Sequence, residues 1–459
     1  MNVSRGEFLK GALSSLGFGA FGWRVFAAPP GWKRPDKANL VFGMVSDTHL
    51  RSDMTGLRLG GTGRYLLAAF RYFRSQNVDA VAHCGDMADR GQVSELEFHA
   101  TIWNKVFPGN AAPDGHKVEK LFVAGNHDLE GFRYGLAQAF RVDRIFPDPV
   151  ETTNHLLASD FPAHWERIWG EKYDRVWHKV VKGYHFFGRH WDVPEEELKD
   201  EIARCRGQIG GERPFFLLSH DKSRRLGDPS LDLGNAVGFF GHWHCSAANW
   251  NQIHFFPRYS FPCIEVPSSS IYGRIGFGMD KYISSAPLEG GTAEQKGFQG
   301  YVVRVYDDFL AIERCEFSKG GTLGPDWIMP LEKRPVHPFA KAELKKVIGK
   351  PEFRSDAKLS VEPVSPPACL RVRIPLADGN PESRVYAYEV VVSWEKAKLV
   401  KAVYAKGVHM GVGHEPDGGV TTLDIPKAEL PSGKALTFKV KPLSSLGTFG
   451  TPLEAEFAV

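Results

Sequence analysis

The sequence has 459 residues, of which 42% are hydrophobic and 24% are charged. This composition is typical of a folded, soluble protein and excludes an intrinsically disordered chain or one built from membrane spans. The length exceeds that of one ordinary domain, and the formal net charge of +3 is too small to indicate nucleic acid or a membrane surface as a partner.

The first residues have the features of an export signal. Arg5 and Lys10 precede a glycine-rich apolar stretch at 11–26, and the small residues Ala27 and Ala28 fit a cleavage site. We therefore expect residues 1–28 to be a signal and the protein to be periplasmic or extracellular. The alternative is an amphipathic N-terminal helix on a cytoplasmic protein. No other stretch approaches the ~20 apolar residues of a membrane span.

Residues 4–10 are similar to a twin-arginine signal, in which serine precedes two arginines, any residue, Phe, Leu and Lys. Gly6 stands where the second arginine would be. Because twin-arginine export usually needs both arginines, an ordinary secretory signal, a weakened signal and a vestigial signal all remain open.

From Leu40 onward, short apolar runs alternate with amphipathic stretches, as in a sheet covered by helices. The pattern predicts helices at 62–76, 93–106 and 195–205, and strands at 40–46, 78–84, 121–124, 215–219, 236–240, 253–256, 263–266 and 301–317. We expect an α/β (α+β) domain over residues 38–331. In open α/β sheets the chemistry lies outside the carboxyl ends of the strands, which here carry polar clusters.

An aromatic-rich insert of roughly eighty residues follows Asp128. Two interpretations of its aromatic residues remain open: a rim for a nucleobase or another apolar leaving group, and a local core packed onto the sheet. The aromatic residues are Trp165, Trp169, Tyr173, Trp177, Tyr184 and Trp191.

Gly, Pro and Lys accumulate near residues 320–358, which predicts a linker at 332–360. Beyond it, short strands predict a small all-β sandwich over residues 361–459. Its strands are predicted at 370–374, 385–394, 399–404, 421–425, 436–440 and 454–459. The run around Gly447–Leu453 resembles the last turn and strand of a fibronectin type III domain, a kind of domain that usually supports or binds.

Cysteines are scattered singly, without a CxxC pair, and predict small buried side chains rather than a disulfide scaffold. Five polar clusters, by contrast, each follow a predicted strand. They are Asp47-Thr48-His49, Gly85-Asp86-Met87-Ala88-Asp89-Arg90, Gly125-Asn126-His127-Asp128, His220, and Gly241-His242-Trp243-His244. Their carboxylate, amide and imidazole groups suit Mn, Fe or Zn, whereas calcium prefers oxygen ligands alone.

In this order the clusters resemble the motifs of the calcineurin-like metallophosphoesterase superfamily. The resemblance covers about residues 40–331 and implies a sandwich of two mixed β-sheets flanked by helices, with two divalent or trivalent metal ions at the strand ends. It also implies a phosphoric ester hydrolase, in which a hydroxide held between the ions attacks phosphorus in line with the leaving group.

The resemblance further implies a role for each matching residue. Asp47, His49 and His244 would bind the first metal, Asn126, His220 and His242 the second, and Asp86 both. His127 would assist the leaving group, and Asp89 would orient His127. Arg90 would bind phosphate or form an ordinary salt bridge, and Asp128 is expected to be a structural cap rather than a catalyst.

The motif variants favour the phosphodiesterase-like branch. Purple acid phosphatases carry tyrosine at the position of Asp89, and the downstream sequence of the protein phosphatases is absent. We therefore expect cleavage of a small phosphodiester or phosphomonoester. The alternatives are a nuclease of the same superfamily, which the small net charge does not favour, and a catalytically silent scaffold, which would have lost ligands.

Overall fold

The computed structural model describes residues 26–27, 35–51, 63–131, 157–211, 213–221, 233, 235–254, 261–269, 288–289, 298–331, 344–345, 349–378 and 384–458. Of the expected export signal only residues 26–27 are among them, and most of the expected linker also lies outside them. No helix within these ranges is both long and apolar enough to span a membrane.

A mixed sheet of seven strands forms one layer of the first half of the chain. Its strands are, in spatial order, β1 (Phe26–Ala27), β14 (Trp327–Pro330), β13 (Phe309–Glu316), β12 (Gln299–Val305), β2 (Leu40–Val45), β3 (Ala80–Cys84) and β4 (Glu119–Val123). Strands β2, β3 and β4 are parallel, and β12 runs antiparallel to β2. The single strand predicted at 301–317 is wrong: the chain turns back at Tyr306–Asp308 to form the β12–β13 hairpin.

A second sheet has six strands. They are, in spatial order, β5 (Val176–Val181), β6 (Tyr184–Arg189), β7 (Phe215–Ser219), β8 (Ala236–Phe240), β10 (Cys263–Glu265) and β9 (Ile253–His254). The inner strands β6, β7, β8 and β10 are parallel, and β5 and β9 pair antiparallel at the two edges. The β5–β6 hairpin, which the sequence did not predict, lies inside the aromatic insert.

The two sheets pack face to face. Phe42 of the first sheet lies edge-on against Phe186, Phe216 and Phe239 of the second, with ring centroids 5.3, 5.1 and 6.2 Å apart. These fully apolar contacts form the inter-sheet core, as in other β-sandwiches. The expected fold class, a two-sheet sandwich flanked by helices, is confirmed.

Helices cover the outer faces of both sheets. They are α1 (Gly63–Ser75), α2 (Val93–Val106), α3 (Phe161–Trp169) and α4 (Glu195–Ile209). The first three share a buried core with the seven-stranded sheet, and α4 packs on the six-stranded one. Trp165 and Trp169 lie on the buried face of α3, and Trp177 lies between the sheets. Four of the six aromatic residues singled out in the sequence are therefore buried in the core: Trp165, Trp169, Trp177 and Tyr184.

The last part of the chain is all-β. One sheet contains, in spatial order, β18 (Ala397–Tyr404), β17 (Val385–Trp394), β20 (Ala435–Ser444) and β21 (Leu453–Ala458), and the short strand β11 (Leu288–Glu289), from earlier in the chain, pairs with β18 at its edge. The second sheet contains β15 (Ser360–Val364), β16 (Cys369–Ile374) and β19 (Thr421–Pro426). Tyr386, Tyr388 and Phe438 are fully buried in its core. This agrees with the all-β sheets that the sequence predicts.

The all-β part holds the segment that follows β8. The Gln299 side chain accepts a hydrogen bond from the Ala247 amide at 2.7 Å and donates one to the His409 carbonyl at 2.8 Å. The Trp250 amide donates to the Ser445 hydroxyl at 3.0 Å. Since this segment directly follows His242 and His244, the C-terminal sheets help to fix the loop that carries them.

Candidate metal centre

Loops from both sheets meet at one edge of the sandwich, where the strands end. The loops after β2, β3 and β4 come from the seven-stranded sheet, and the loops after β7 and β8 come from the six-stranded one. They bring together all seven predicted ligands: Asp47, His49, Asp86, Asn126, His220, His242 and His244. His49 and His244, for example, are 195 residues apart in the sequence.

One group of ligand atoms surrounds the predicted first position. His49 Nε2 lies 3.1 Å from His244 Nε2 and 3.6 Å from Asp86 Oδ2. His244 Nε2 in turn lies 3.2 Å from Asp47 Oδ1. One atom from each of these four side chains can be chosen so that all lie within 4.8 Å of one another.

A second group shares Asp86 with the first. His220 Nε2 lies 3.1 Å from Asp86 Oδ2 and 3.0 Å from Asn126 Oδ1. His242 Nδ1 is 3.0 Å from the same Asn126 oxygen and 3.2 Å from His220 Nε2. Asp86 therefore stands between the two groups, where a bridging ligand would have to be.

His220 shows which of its nitrogens faces the centre. Its Nδ1 lies 2.7 Å from the Cys84 carbonyl oxygen, which can only accept a hydrogen bond. Nδ1 therefore carries a proton, and Nε2 faces the oxygens of Asp86 and Asn126. Nε2 is thus the nitrogen that could bind a metal ion together with these oxygens.

The backbone is strained at the ligands. Positive φ angles are uncommon outside glycine, yet five of the seven ligands have them. The values are 51° at Asp47, 42° at His49, 57° at Asp86, 74° at His242 and 52° at His244. The chain thus turns sharply after β2, β3 and β8, and these turns direct the side chains toward the centre.

Glycines in three of the motifs make room for the ligands. A β-carbon at Gly85 would overlap the His220 ring, and one at Gly125 would overlap the Asp86 carboxylate. A β-carbon at Gly241 would collide with Ser46 and lie 2.7 Å from Asp47 Oδ2. The motif glycines are therefore needed for close approach between neighbouring loops.

Both ligand carboxylates are held in their ionised form. Burial alone would raise the pKa of Asp47, but His244 and His220 outweigh it and lower the pKa to about 2. Burial likewise opposes ionisation of Asp86, yet His220 and His49 hold its pKa well below the usual value. Burial, and then the charge of Asp86, raises the pKa of Asp128 to about 6. The negative charge at the centre favours a bound cation.

Asp89 contacts two histidines of the site in different ways. Its carboxylate lies 3.2 Å from His49 Nδ1 and accepts a hydrogen bond from Arg51 at 2.7 Å. His127 Nδ1 instead lies 2.7 Å from the backbone carbonyl of Asp89. The backbone carbonyl of Asp89 thus contacts His127 directly, and its carboxylate, within 4.8 Å of ring nitrogens of both His49 and His127, contacts His49. A role of the Asp89 carboxylate in orienting His127 stays a prediction.

Two neighbouring charged residues also have defined surroundings. Asp128 is buried and accepts hydrogen bonds from the amides of Gly125 at 2.8 Å and Ala88 at 2.8 Å, as expected of a structural cap. The Arg90 side chain is 46% exposed and its Nε lies 3.9 Å from Asp89 Oδ2. Arg90 thus stands at the rim of the centre, paired with a carboxylate.

Trp191 is a site residue that the motifs do not reveal. Its ring centroid lies 5.0 Å from that of His242 and 5.6 Å from that of His220. The Trp191 amide donates to the Ala124 carbonyl at 3.1 Å, which ties it to the loop that carries Asn126. Trp243 instead packs against Phe240, at 6.1 Å between ring centroids. Only its position in the aromatic-rich insert hinted at Trp191.

Residues 40–246, which contain all seven predicted metal ligands, match the family model described as calcineurin-like phosphoesterase. The match shows that this segment is similar to the calcineurin-like phosphoesterase family. The similarity agrees with a dinuclear metal site in the segment and does not specify the metals. No curated protein matches the chain.

Solved phosphatase structures are similar to this chain at low identity. A dimetal phosphatase from Danio rerio is 11% identical, with 64% of this chain and 100% of that chain covered and a TM-score of 0.36. The purple acid phosphatase PPD1 of yellow lupin is 13% identical, with 63% and 53% covered and a TM-score of 0.39. These low scores decide neither substrate nor metal.

Replacing Gly125 with alanine tests the close approach at Asp86. The added methyl group would displace the Asp86 carboxylate, so the affinity for Mn²⁺ should fall by about 10- to 100-fold, as when a supporting contact of a metal ligand is lost. Isothermal titration of metal-free protein measures this. Gly211→Ala is the matched control, because a β-carbon there meets nothing within 4 Å. Unchanged affinity in Gly125→Ala would contradict the crowding described here.

Proposed function

We propose that this protein is a metal-dependent phosphohydrolase that cleaves small phosphodiesters or phosphomonoesters. The observation that carries the proposal is the pair of ligand groups that share Asp86, since two adjacent ions can clamp both the attacking and the departing oxygen of a displacement at phosphorus. The match of residues 40–246 to a phosphoesterase family model supports the same reaction class.

The residues present fit two transition-metal ions. Asp47, His49 and His244 would hold one ion, and Asn126, His220 and His242 the other. Asp86 would contact both. Nitrogen and oxygen ligands of this kind suit Mn, Fe or Zn. When bound, such ions supply Lewis acidity and make a water molecule nucleophilic near neutral pH.

His127 is suited to assist the leaving group. Its Nδ1–H donates to the Asp89 carbonyl, so Nε2 is the nitrogen that can carry a proton toward the departing oxygen. Its backbone amide donates to Asp86 Oδ1 at 2.8 Å. Movement of His127 relative to the bridging carboxylate is thereby restricted, which holds the acid beside the site of reaction.

Asp89, Arg90 and Trp191 would act around this core. Asp89 positions His49 through the contact with its Nδ1. The exposed guanidinium of Arg90 could meet a phosphate oxygen at the rim. The half-buried Trp191 ring, beside His220 and His242, offers an apolar wall to the organic part of a small phosphoester.

We propose a role for each of the larger segments of the chain. Residues 38–331 would be the catalytic domain, 332–360 a linker, and 361–459 a fibronectin type III-like sandwich that braces the His242–His244 loop. Residues 1–28 would direct export to the periplasm or the outside of the cell. The silent-scaffold alternative expects lost ligands, whereas all seven are present.

Removal of the bridging carboxylate tests the proposal. Asp86→Asn should lower kcat/KM by about 10³-fold or more, because loss of a bridging ligand removes metal-ion stabilisation worth several kcal/mol. The measurement is hydrolysis of phosphomonoesters, phosphodiesters and cyclic nucleotides, each assayed with Mn²⁺, Zn²⁺ or Fe²⁺.

The matched control is Asp356→Asn, which changes a carboxylate with 81% exposure and should leave activity intact. If wild-type protein binds two metal ions and cleaves none of these substrates, the phosphohydrolase proposal is wrong. If Asp86→Asn retains full activity, the proposed centre is not the site of reaction.

The role of His127 is tested through the leaving group. His127→Ala should lower kcat/KM by about 10²–10⁴-fold for alkyl phosphoesters, whose alkoxide must be protonated as it departs. The same substitution should lower kcat/KM far less for p-nitrophenyl esters, because p-nitrophenolate departs without a proton. His414→Ala, which changes an exposed histidine of the C-terminal part, is the control. Equal losses for both ester types would exclude proton donation by His127.

A further inference from the structure

A second cluster of metal-binding side chains lies on the outer face of the six-stranded sheet. It consists of His178 in β5 and of Glu201 and Cys205 in α4. None of these residues belongs to the centre described above. Glu201 and Cys205 are four positions apart in the helix, so both project from the same face, toward the strand that carries His178.

The distances within this cluster are those of a coordination shell. Cys205 Sγ lies 3.3 Å from His178 Nδ1 and 3.5 Å from Glu201 Oε1. Ligand bonds of about 2.3 Å to sulfur and 2.0–2.1 Å to nitrogen, set at tetrahedral angles, place the ligand atoms roughly 3.5 Å apart. The three side chains therefore need little rearrangement to bind one ion.

Neighbouring residues fix the orientation of the His178 ring. The ring stacks on Phe187 at a centroid distance of 4.5 Å, with an interplanar angle of 7°. Its Nε2 lies 2.8 Å from His185 Nδ1. If Nε2–H donates to His185, the Nδ1 lone pair is directed at Cys205, and this second-sphere hydrogen bond is typical of histidines that bind metals.

The cluster is partly shielded and can still be reached. Cys205 is buried, whereas Glu201 and His178 are half-buried. The Glu201 carboxylate now pairs with Arg204, whose side chain is 65% exposed and can turn into solvent when a cation takes its place. Three protein ligands would leave a fourth position for water.

We propose that His178, Glu201 and Cys205 form a mononuclear site for a zinc-like ion. The ligands differ in kind from those of the phosphoesterase centre, because a thiolate replaces the purely oxygen and nitrogen donors and favours softer ions. Binding releases the thiol proton of Cys205 to water as the sulfur–metal bond forms. The bound ion ties α4 to the edge strand β5.

Cobalt tests the site directly, because a cysteine thiolate bound to Co²⁺ gives a near-ultraviolet charge-transfer band that oxygen and nitrogen ligands do not. Titration of metal-free full-length protein with Co²⁺ should produce this band, saturating at one thiolate-bound cobalt per chain. The band should be absent in Cys205→Ser, and in His178→Gln the affinity should fall by at least about 10-fold.

Cys245→Ser is the matched control, since Cys245 is also buried and directly follows His244. It should keep the band. If wild-type protein shows no band, or if the band survives in Cys205→Ser and disappears in Cys245→Ser, the proposed site is wrong. Thermal unfolding of each metal-free variant verifies that the substitutions leave the fold intact.

Discussion

The architecture of the site depends on the Asp86 carboxylate at the end of β3. One of its oxygens accepts the His127 amide, and the other faces His220 at 3.1 Å and His49 at 3.6 Å. Asp86 is 1% exposed, so its charge is poorly screened by solvent. The other loops at this edge place imidazole, amide or carboxylate groups near that charge.

The fold brings the ligand side chains together, and the backbone at five of the seven ligands is strained as a result. Parallel strands of two facing sheets end at the same edge, and the residues there adopt positive φ angles. Gly85, Gly125 and Gly241 permit loops to approach each other more closely than side chains would allow. The inter-sheet core around Phe42 and the C-terminal contacts at Gln299 stabilise the strained loops.

Much of this arrangement could be predicted from the sequence, because strand ends in an α/β sheet are recognisable and the ligand types alternate with them in a specific order. The alternation predicted an α/β domain with polar clusters at its strand ends, and the resemblance to the metallophosphoesterase motifs implied the two-sheet fold and the seven ligands. Contacts that depend on backbone atoms could not be predicted in this way. The Asp89 motif position indicates a carboxylate near His127, whereas the carbonyl makes the contact.

Other features were missed for different physical reasons. The β12–β13 hairpin reads as one strand because both strands are buried and the turn between them is short and carries Tyr306. Most of the aromatic residues described in the insert are buried in the core, so the sequence does not distinguish Trp191, whose ring lies beside His242. The second cluster of metal-binding side chains lies partly on a strand and partly on a helix, so no short sequence motif predicts it. Its members are His178, Glu201 and Cys205.

The central claim is that Asp86 bridges two metal ions. Electron paramagnetic resonance of protein loaded with two equivalents of Mn²⁺ tests it directly, because ions ~3.5–4 Å apart are magnetically coupled. We expect the spectrum of a coupled manganese pair in wild-type protein and of isolated ions in Asp86→Asn. Isolated ions in the fully loaded wild-type protein would contradict the account.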